Sequence, residues 1–164
     1  LRFYFQILEP FLSSSPFDPE QVDEAARRNL RGFVGATAFE DLARQWVWAQ
    51  GKAGILPFTP ESIGSHWSSR VQVDVVAINW KTHDIFLGEC KWGTDRVDRQ
   101  VVRELIERKT AFVQKDLPEG GDGWKVHYAL FGRSGFTQAV VEEMRKVSGI
   151  LVDLKMIDSS LGRG

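Results

Sequence analysis

Residues 71 to 92 read VQVDVVAINWKTHDIFLGECKW, an apolar stretch that nevertheless carries Asp74, Glu89 and Lys91. Two carboxylates close together attract a hard divalent cation. Mg²⁺ takes oxygen ligands, keeps several of its waters and is commonly held by one or two carboxylates together with a substrate phosphate. A lysine beside such an ion can orient or help deprotonate an attacking water, or stabilise charge developing on a phosphate. The chemistry these residue types imply is metal-assisted hydrolysis of a phosphodiester.

Whether the three residues meet depends on strand geometry. Side chains alternate faces along a strand, so Glu89 and Lys91 point the same way and Cys90 points to the other side. On the preceding strand, Asp74 shares its face with Val76 and Ile78. A hairpin that sets Ile78 opposite Ile85 also sets Asp74 opposite Glu89, with Cβ atoms about 4.5 to 5.5 Å apart. A slip of one residue sends the two carboxylates to opposite faces. Like charges directly opposite repel and are costly to desolvate, so a counter-charge is required. The pattern is short and degenerate, and a solvated pair such as Asp74 with Lys91 accounts for it equally well.

The elements that must position these residues can be read along the chain. Residues 1 to 17 read as an appendage or linker broken by SSSPFDP. Asp18 suits an N-cap and Pro19 a first helical position. A second helix is expected after Gly35, with Phe39, Leu42, Ala43, Trp46 and Val47 on one face, ending near Gly51. One strand is expected within KAGILPFTPESIGSHWSS, before the hairpin. Asp95 is placed as the cap of a long amphipathic helix with Val97, Val101, Leu105, Ala111 and Phe112 inward. KVHYALFG reads as a strand, TQAVVEEMRKV as a helix and GILVDL as a last strand. The order helix, three strands, helix, strand, helix, strand implies an α/β fold with a central mixed sheet flanked by helices.

Composition sets the outer bounds. The chain has 164 residues, 43% hydrophobic and 26% charged, which is enough to bury a core in one domain. It contains no apolar run of the roughly 18 to 20 residues that a membrane span needs and no signal-peptide pattern, so a cytoplasmic protein with no membrane partner is expected. Cys90 is the single cysteine, which excludes an intrachain disulfide and a cysteine zinc cluster. A formal net charge of −1 gives no whole-molecule attraction for a polyanion, so a nucleic-acid site would have to come from local clustering. The first residue is Leu and the last are SSLGRG, from which we expect a piece of a longer protein with a further domain upstream.

The chain resembles the nuclease superfamily named after its PD-(D/E)XK motif in element order and in Asp74, Glu89 and Lys91. GATAFEDLARQWV, GSHWSSRVQVDVVAIN, GECKW and FGRSGF further resemble the uncharacterised domain at the C-terminus of archaeal-type P-loop ATPases, grouped with the restriction-endonuclease-like fold. The resemblance implies a restriction-endonuclease-like core over 33–155, with a helical appendage over 1–32 and a tail over 156–164. It also implies Glu40, in FEDL, as a third carboxylate of a Mg²⁺ or Mn²⁺ site, and an upstream ATPase as partner. Val73 stands where the motif has proline. Fold alone does not fix activity.

For DNA, Arg96, Arg99, Arg103, Arg108 and Lys109 form a stripe that could neutralise phosphates. Asp95, Asp98, Glu104 and Glu107 interleave with it, and a solvated mixed-charge face explains the stripe as well. Lys109 falls where relatives often place a polar residue near the site. Trp67, Trp80 and Trp92 surround the hairpin as candidates for base stacking. His66 and His83 read as bystanders, and Cys90 as a buried small hydrophobe. Two functions are carried forward: a metal-dependent DNA endonuclease-type domain, and a non-catalytic module that binds nucleic acid or protein and regulates or oligomerises an ATPase.

Overall fold

The computed structural model describes residues 18–161, so the expectations for residues 1–17 and 162–164 fall outside it. Asp18 opens the first helix, accepting through Oδ1 from the backbone N–H of Glu20 at 2.9 Å, with Pro19 at the first helical position. This helix, α1 (Pro19–Lys52), is unbroken. The expected second start after Gly35 is therefore corrected: an interior glycine costs a helix about 1 kcal/mol relative to alanine but does not end it. By internal contacts the chain divides at residue 38/39 into two units. In the first, Leu30 and Val34 lie exposed on the helix. All that follows concerns the second.

The strands are β1 (Ser62–Trp67), β2 (Gln72–Asn79), β3 (Asp84–Lys91), β4 (Lys125–Gly132) and β5 (Ile150–Asp153). They form one mixed sheet in the order β1-β2-β3-β4-β5. The pairs β1/β2 and β2/β3 are antiparallel, while β3/β4 and β4/β5 are parallel. The hairpin has the expected register, with Ile78 opposite Ile85 and Val75 opposite Gly88.

Apolar alternation on the strands builds two cores. Val75, Ala77, Phe86, Phe131 and Val152 pack with Phe39, Ala43, Trp46 and Val47 of α1, with Leu42 beside them, as the helical spacing predicted. Val73, Ile85, Leu87 and Leu130 pack with Val102, Leu105, Val113, Val140 and Met144 on the other side. These last come from α2 (Arg99–Arg103), a π-helical segment Glu104–Lys109, α3 (Thr110–Lys115) and α4 (Gln138–Lys146). Asp98, not Asp95, caps α2, accepting from the Gln100 N–H at 2.8 Å. Val97, Val101 and Leu105 turn inward as expected, whereas Phe112 is half-buried outside both cores beneath Arg70 and Lys115, and Ala111 is exposed. Part of the stretch read as a tail is α5 (Leu154–Leu161), whose Ile157 lies in the first core.

Candidate active site

Asp74 stands at an irregularity that the sequence did not announce. Gly64 pairs with Val76 and His66 with Val73, so β2 holds one residue more than β1 between these positions, the signature of a β-bulge at Asp74 and Val75. The alternation breaks there: Val75 belongs to the first core and Val73 to the second. Just beyond the last hairpin pair, the Asp74 carboxylate crosses to β3, where Oδ2 accepts from the Cys90 N–H at 2.9 Å. Its Oδ1 accepts from the Gln72 side-chain amide at 2.9 Å. Gln72 thus fixes the carboxylate's orientation, a role that sequence reasoning missed.

Glu89 continues the Ile85–Leu87 row of β3 and faces the helices of the second core. Both of its oxygens meet ammonium groups. Lys91 Nζ donates to Oε1 at 2.9 Å and Lys109 Nζ to Oε2 at 2.6 Å. Burial alone would pull the Lys91 pKa down, but the charge and hydrogen bond of Glu89, with Asp74 behind it, outweigh this and hold it above the ordinary lysine value. Lys91 therefore stays charged and serves as a hydrogen-bond donor.

Lys109 owes its position to the π segment. A wider turn brings two adjacent residues, Lys109 and Thr110, to the buried side together. Thr110 secures that turn twice, donating its backbone N–H and, at 2.8 Å, its hydroxyl to the Leu105 carbonyl five residues back. Lys109, which the resemblance sets near the site and the arginine stripe sets among the phosphate contacts, lies inside, against Glu89. A signal existed, since Leu105, Lys109 and Val113 stand four apart on the apolar face of the helix.

Glu40 approaches from α1 on the first-core side, between buried Phe39 and half-buried Leu42. Its Oε2 lies 4.0 Å from Arg44 Nη1, and the same nitrogen donates to the Asp74 carbonyl at 2.7 Å. Arg44 also pairs with exposed Asp41. The arginine ties the bulge to α1, a second contribution not foreseen, although the Glu40–Arg44 spacing of four was there to be read. Glu40, Asp74 and Glu89 are 8%, 6% and 5% exposed, and Lys109 9%. Among the described residues, no group of three or more His, Cys, Asp or Glu side chains is arranged to hold a metal ion. Asp74 and Glu89 are brought together at the sheet end, while Glu40 is held by Arg44 at its margin.

Half-buried Cys90 packs on the first core. Burial first, then the charges of Asp74, Glu40 and Glu89, push its thiol pKa well up, with Arg44 opposing. It is a poor nucleophile.

The expected stripe behaves as a mixed-charge face. Arg96 and Arg99 are exposed, Arg103 pairs with Glu143 at 3.4 Å, and Arg108 with Glu104 at 3.4 Å. Trp67 is 72% exposed and pairs with Gln72 at the site end of the sheet. Trp92 stacks at a tilt on Phe39 and lies beneath Arg133, whose backbone N–H donates to the Lys91 carbonyl. Trp80 is exposed at the opposite, turn end, edge-on to Trp124. His66 sits 3.5 Å from Asp116, and His83 stacks on Trp124.

Asp74 on β2, Glu89 and Lys91 on β3 and Lys109 on the π segment form an ionic cluster at one end of a mixed α/β sheet. The chain belongs to the DUF234 family, described as archaeal and bacterial proteins of unknown function, which it matches over residues 4–109. That stretch contains Glu40, Arg44, Asp74, Glu89, Lys91 and Lys109. The chain is similar to the uncharacterized protein MJECL04 of Methanocaldococcus jannaschii, with 30% identity over 138 residues that cover 81% of this chain and 29% of the relative's length. No solved structure matches. Among the described residues, no helix is long and apolar enough to cross a membrane.

Proposed function

We propose that this chain carries a metal-dependent phosphodiester hydrolase site of restriction-endonuclease-like type, acting on DNA as part of a longer protein that includes an ATPase. The observation that carries the proposal is the buried Glu89 carboxylate, bridged to two lysines and placed beside Asp74 where β2 and β3 end. A purely structural ion pair needs one lysine. Two lysines and a second carboxylate at a sheet end match the requirements of a phosphate with a cation.

The donor set fits Mg²⁺ or Mn²⁺: Asp74 and Glu89 are hard oxygen donors, and two carboxylates with substrate phosphate are a common way to hold Mg²⁺. When bound, such an ion polarises a phosphoryl oxygen and makes water a better nucleophile. The chain's own residues supply the rest. The Cys90 N–H and Gln72 hold Asp74 in orientation. Lys91, half exposed, offers its donors to a non-bridging phosphate oxygen and stabilises charge that accumulates there. Lys109 donates to Glu89 Oε2 and fixes that carboxylate in its buried place.

The test is incubation of the purified chain with supercoiled, linear, single-stranded and branched DNA in Mg²⁺ or Mn²⁺, beside Lys91→Ala and EDTA controls. Cleavage that disappears in both controls is the expected result. Absence of cleavage on every substrate, in the full-length protein with ATP as well, would sink the proposal. A second reading, a non-catalytic module that binds nucleic acid or protein for an ATPase, is favoured by one observation: all four oxygens of Asp74 and Glu89 already have protein partners. That reading expects DNA or partner binding that survives Asp74→Ala.

A further inference from the structure

We infer that Lys109 is a resident counter-cation that makes uptake of a divalent ion at Asp74 and Glu89 depend on simultaneous binding of a phosphate-bearing ligand. This rests on the hydrolase reading and goes beyond it, because it couples the binding of the cation to that of the phosphate.

The argument begins with charge. At Glu89 one buried carboxylate meets two ammonium groups, Lys91 and Lys109, while the Asp74 carboxylate is held by the neutral Gln72 amide and the Cys90 N–H, and Arg44 lies 4.0 Å from Glu40 and donates to the Asp74 carbonyl. Asp41 at the rim also holds Arg44, but it is exposed and screened by solvent. At Glu89 the positive charge therefore already outnumbers the negative. A divalent ion arriving alone brings surplus positive charge into a partly desolvated place, where unpaired charge is expensive.

Geometry says which balance can change. At Glu89 the ion meets an ammonium on each oxygen, at 2.9 and 2.6 Å. Lys109 cannot withdraw easily, since its side chain is buried and its backbone is set by the π segment that Thr110 secures. Lys91 can, because its side chain is 42% exposed at the end of β3. A phosphate anion draws Lys91 away from Oε1, opens that oxygen to the ion, and supplies the negative charge that the ion otherwise lacks. Lys109 remains. Cation and phosphate thereby bind as a pair, and by linkage each strengthens the other equally.

The probe is Mn²⁺, titrated by electron paramagnetic resonance into the chain alone and into the chain with a phosphorothioate oligonucleotide, single-stranded or duplex, after subtracting Mn²⁺ held by the oligonucleotide itself. The oligonucleotide should tighten Mn²⁺ binding about tenfold or more, within the usual range of coupling between sites. Lys109→Met should bind Mn²⁺ more tightly than the parent in the absence of oligonucleotide and lose most of the coupling, whereas Lys109→Arg should keep it. Equal Mn²⁺ affinity with and without oligonucleotide in the parent chain overturns the inference, and this arm needs no variant to fold. So does a folded Lys109→Met with parental affinity and coupling. If Mn²⁺ binding is indifferent to the oligonucleotide yet lost in Asp74→Ala, only the inference fails. If Asp74→Ala binds Mn²⁺ like the parent, the hydrolase reading falls with it.

Discussion

Glu89 and Lys91 touch each other, yet their removal should affect stability very differently. Glu89→Gln leaves the Lys109 ammonium buried without its counter-charge, a situation that typically costs about 3 kcal/mol or more. Lys91→Ala removes a half-exposed side chain and leaves Glu89 with Lys109, so the change should stay within about 1 kcal/mol. Urea unfolding of both variants, read at unchanged slope, checks the contrast; comparable losses would mean that Lys109 is not held by Glu89 in solution. The same residues show what could be read in advance. Strand period put Glu89 and Lys91 on one face and made Asp74 conditional on hairpin register, because these are local properties, and the family resemblance gathered the three into one site. Gln72 and Arg44 were not legible, because one acts through a side-chain amide at a bulge and the other through a main-chain carbonyl brought close by folding.

At the scale of elements, Gly88 shows how closely β3 must fit its neighbours just before Glu89. A Cβ built there would lie 3.0 Å from both the Phe131 ring and the Val75 Cβ. Gly88→Ala should therefore destabilise by about 1–3 kcal/mol, the usual cost of overpacking, because Val75 is branched at the contacting atom and Phe131 is fully buried. Thermal unfolding that matches the parent would show that the strands separate more readily than this packing allows. The elements themselves were mostly foreseen from apolar period: the hairpin, β4, α4, β5 and the inner face of α1. Three features escaped. The glycines before Phe39 do not break α1, the π segment preserves apolar spacing and so leaves no mark in the pattern, and the β2 bulge depends on a partner strand that could not be placed beforehand.

Over the whole molecule, a second ionic link secures the end of the sheet away from the site. Asp84 Oδ1 lies 2.7 Å from His127 Nε2 across β3 and β4, and the His127 ring packs on Phe58. Burial alone would raise the Asp84 pKa, but hydrogen bonds from Thr82 and His127 and the charges of His127 and Lys125 bring it below the ordinary value. A folded pKa below the unfolded one, about 3.9, gives stability that is present above that pH and is lost as pH falls through the folded value. Asp84→Asn should accordingly be less stable than the parent at neutral pH, with the gap closing below about pH 4. Melting temperatures from pH 6 down to pH 2.5 measure it, and a gap that does not narrow on acidification would rule out the link. No sequence signal joined these two residues, since 43 positions separate them and only the parallel pairing brings them together. The π segment, finally, has a meaning for inheritance. Loss of one codon between Glu104 and Arg108 would let the backbone relax to an ordinary α-helix, because the wider turn holds about one residue more than an α turn, and the faces on either side of it would keep their directions. Lys109 and Thr110 would then no longer both reach the buried side, so descendants of this gene can lose a residue there and keep the helix while giving up one of these two buried groups.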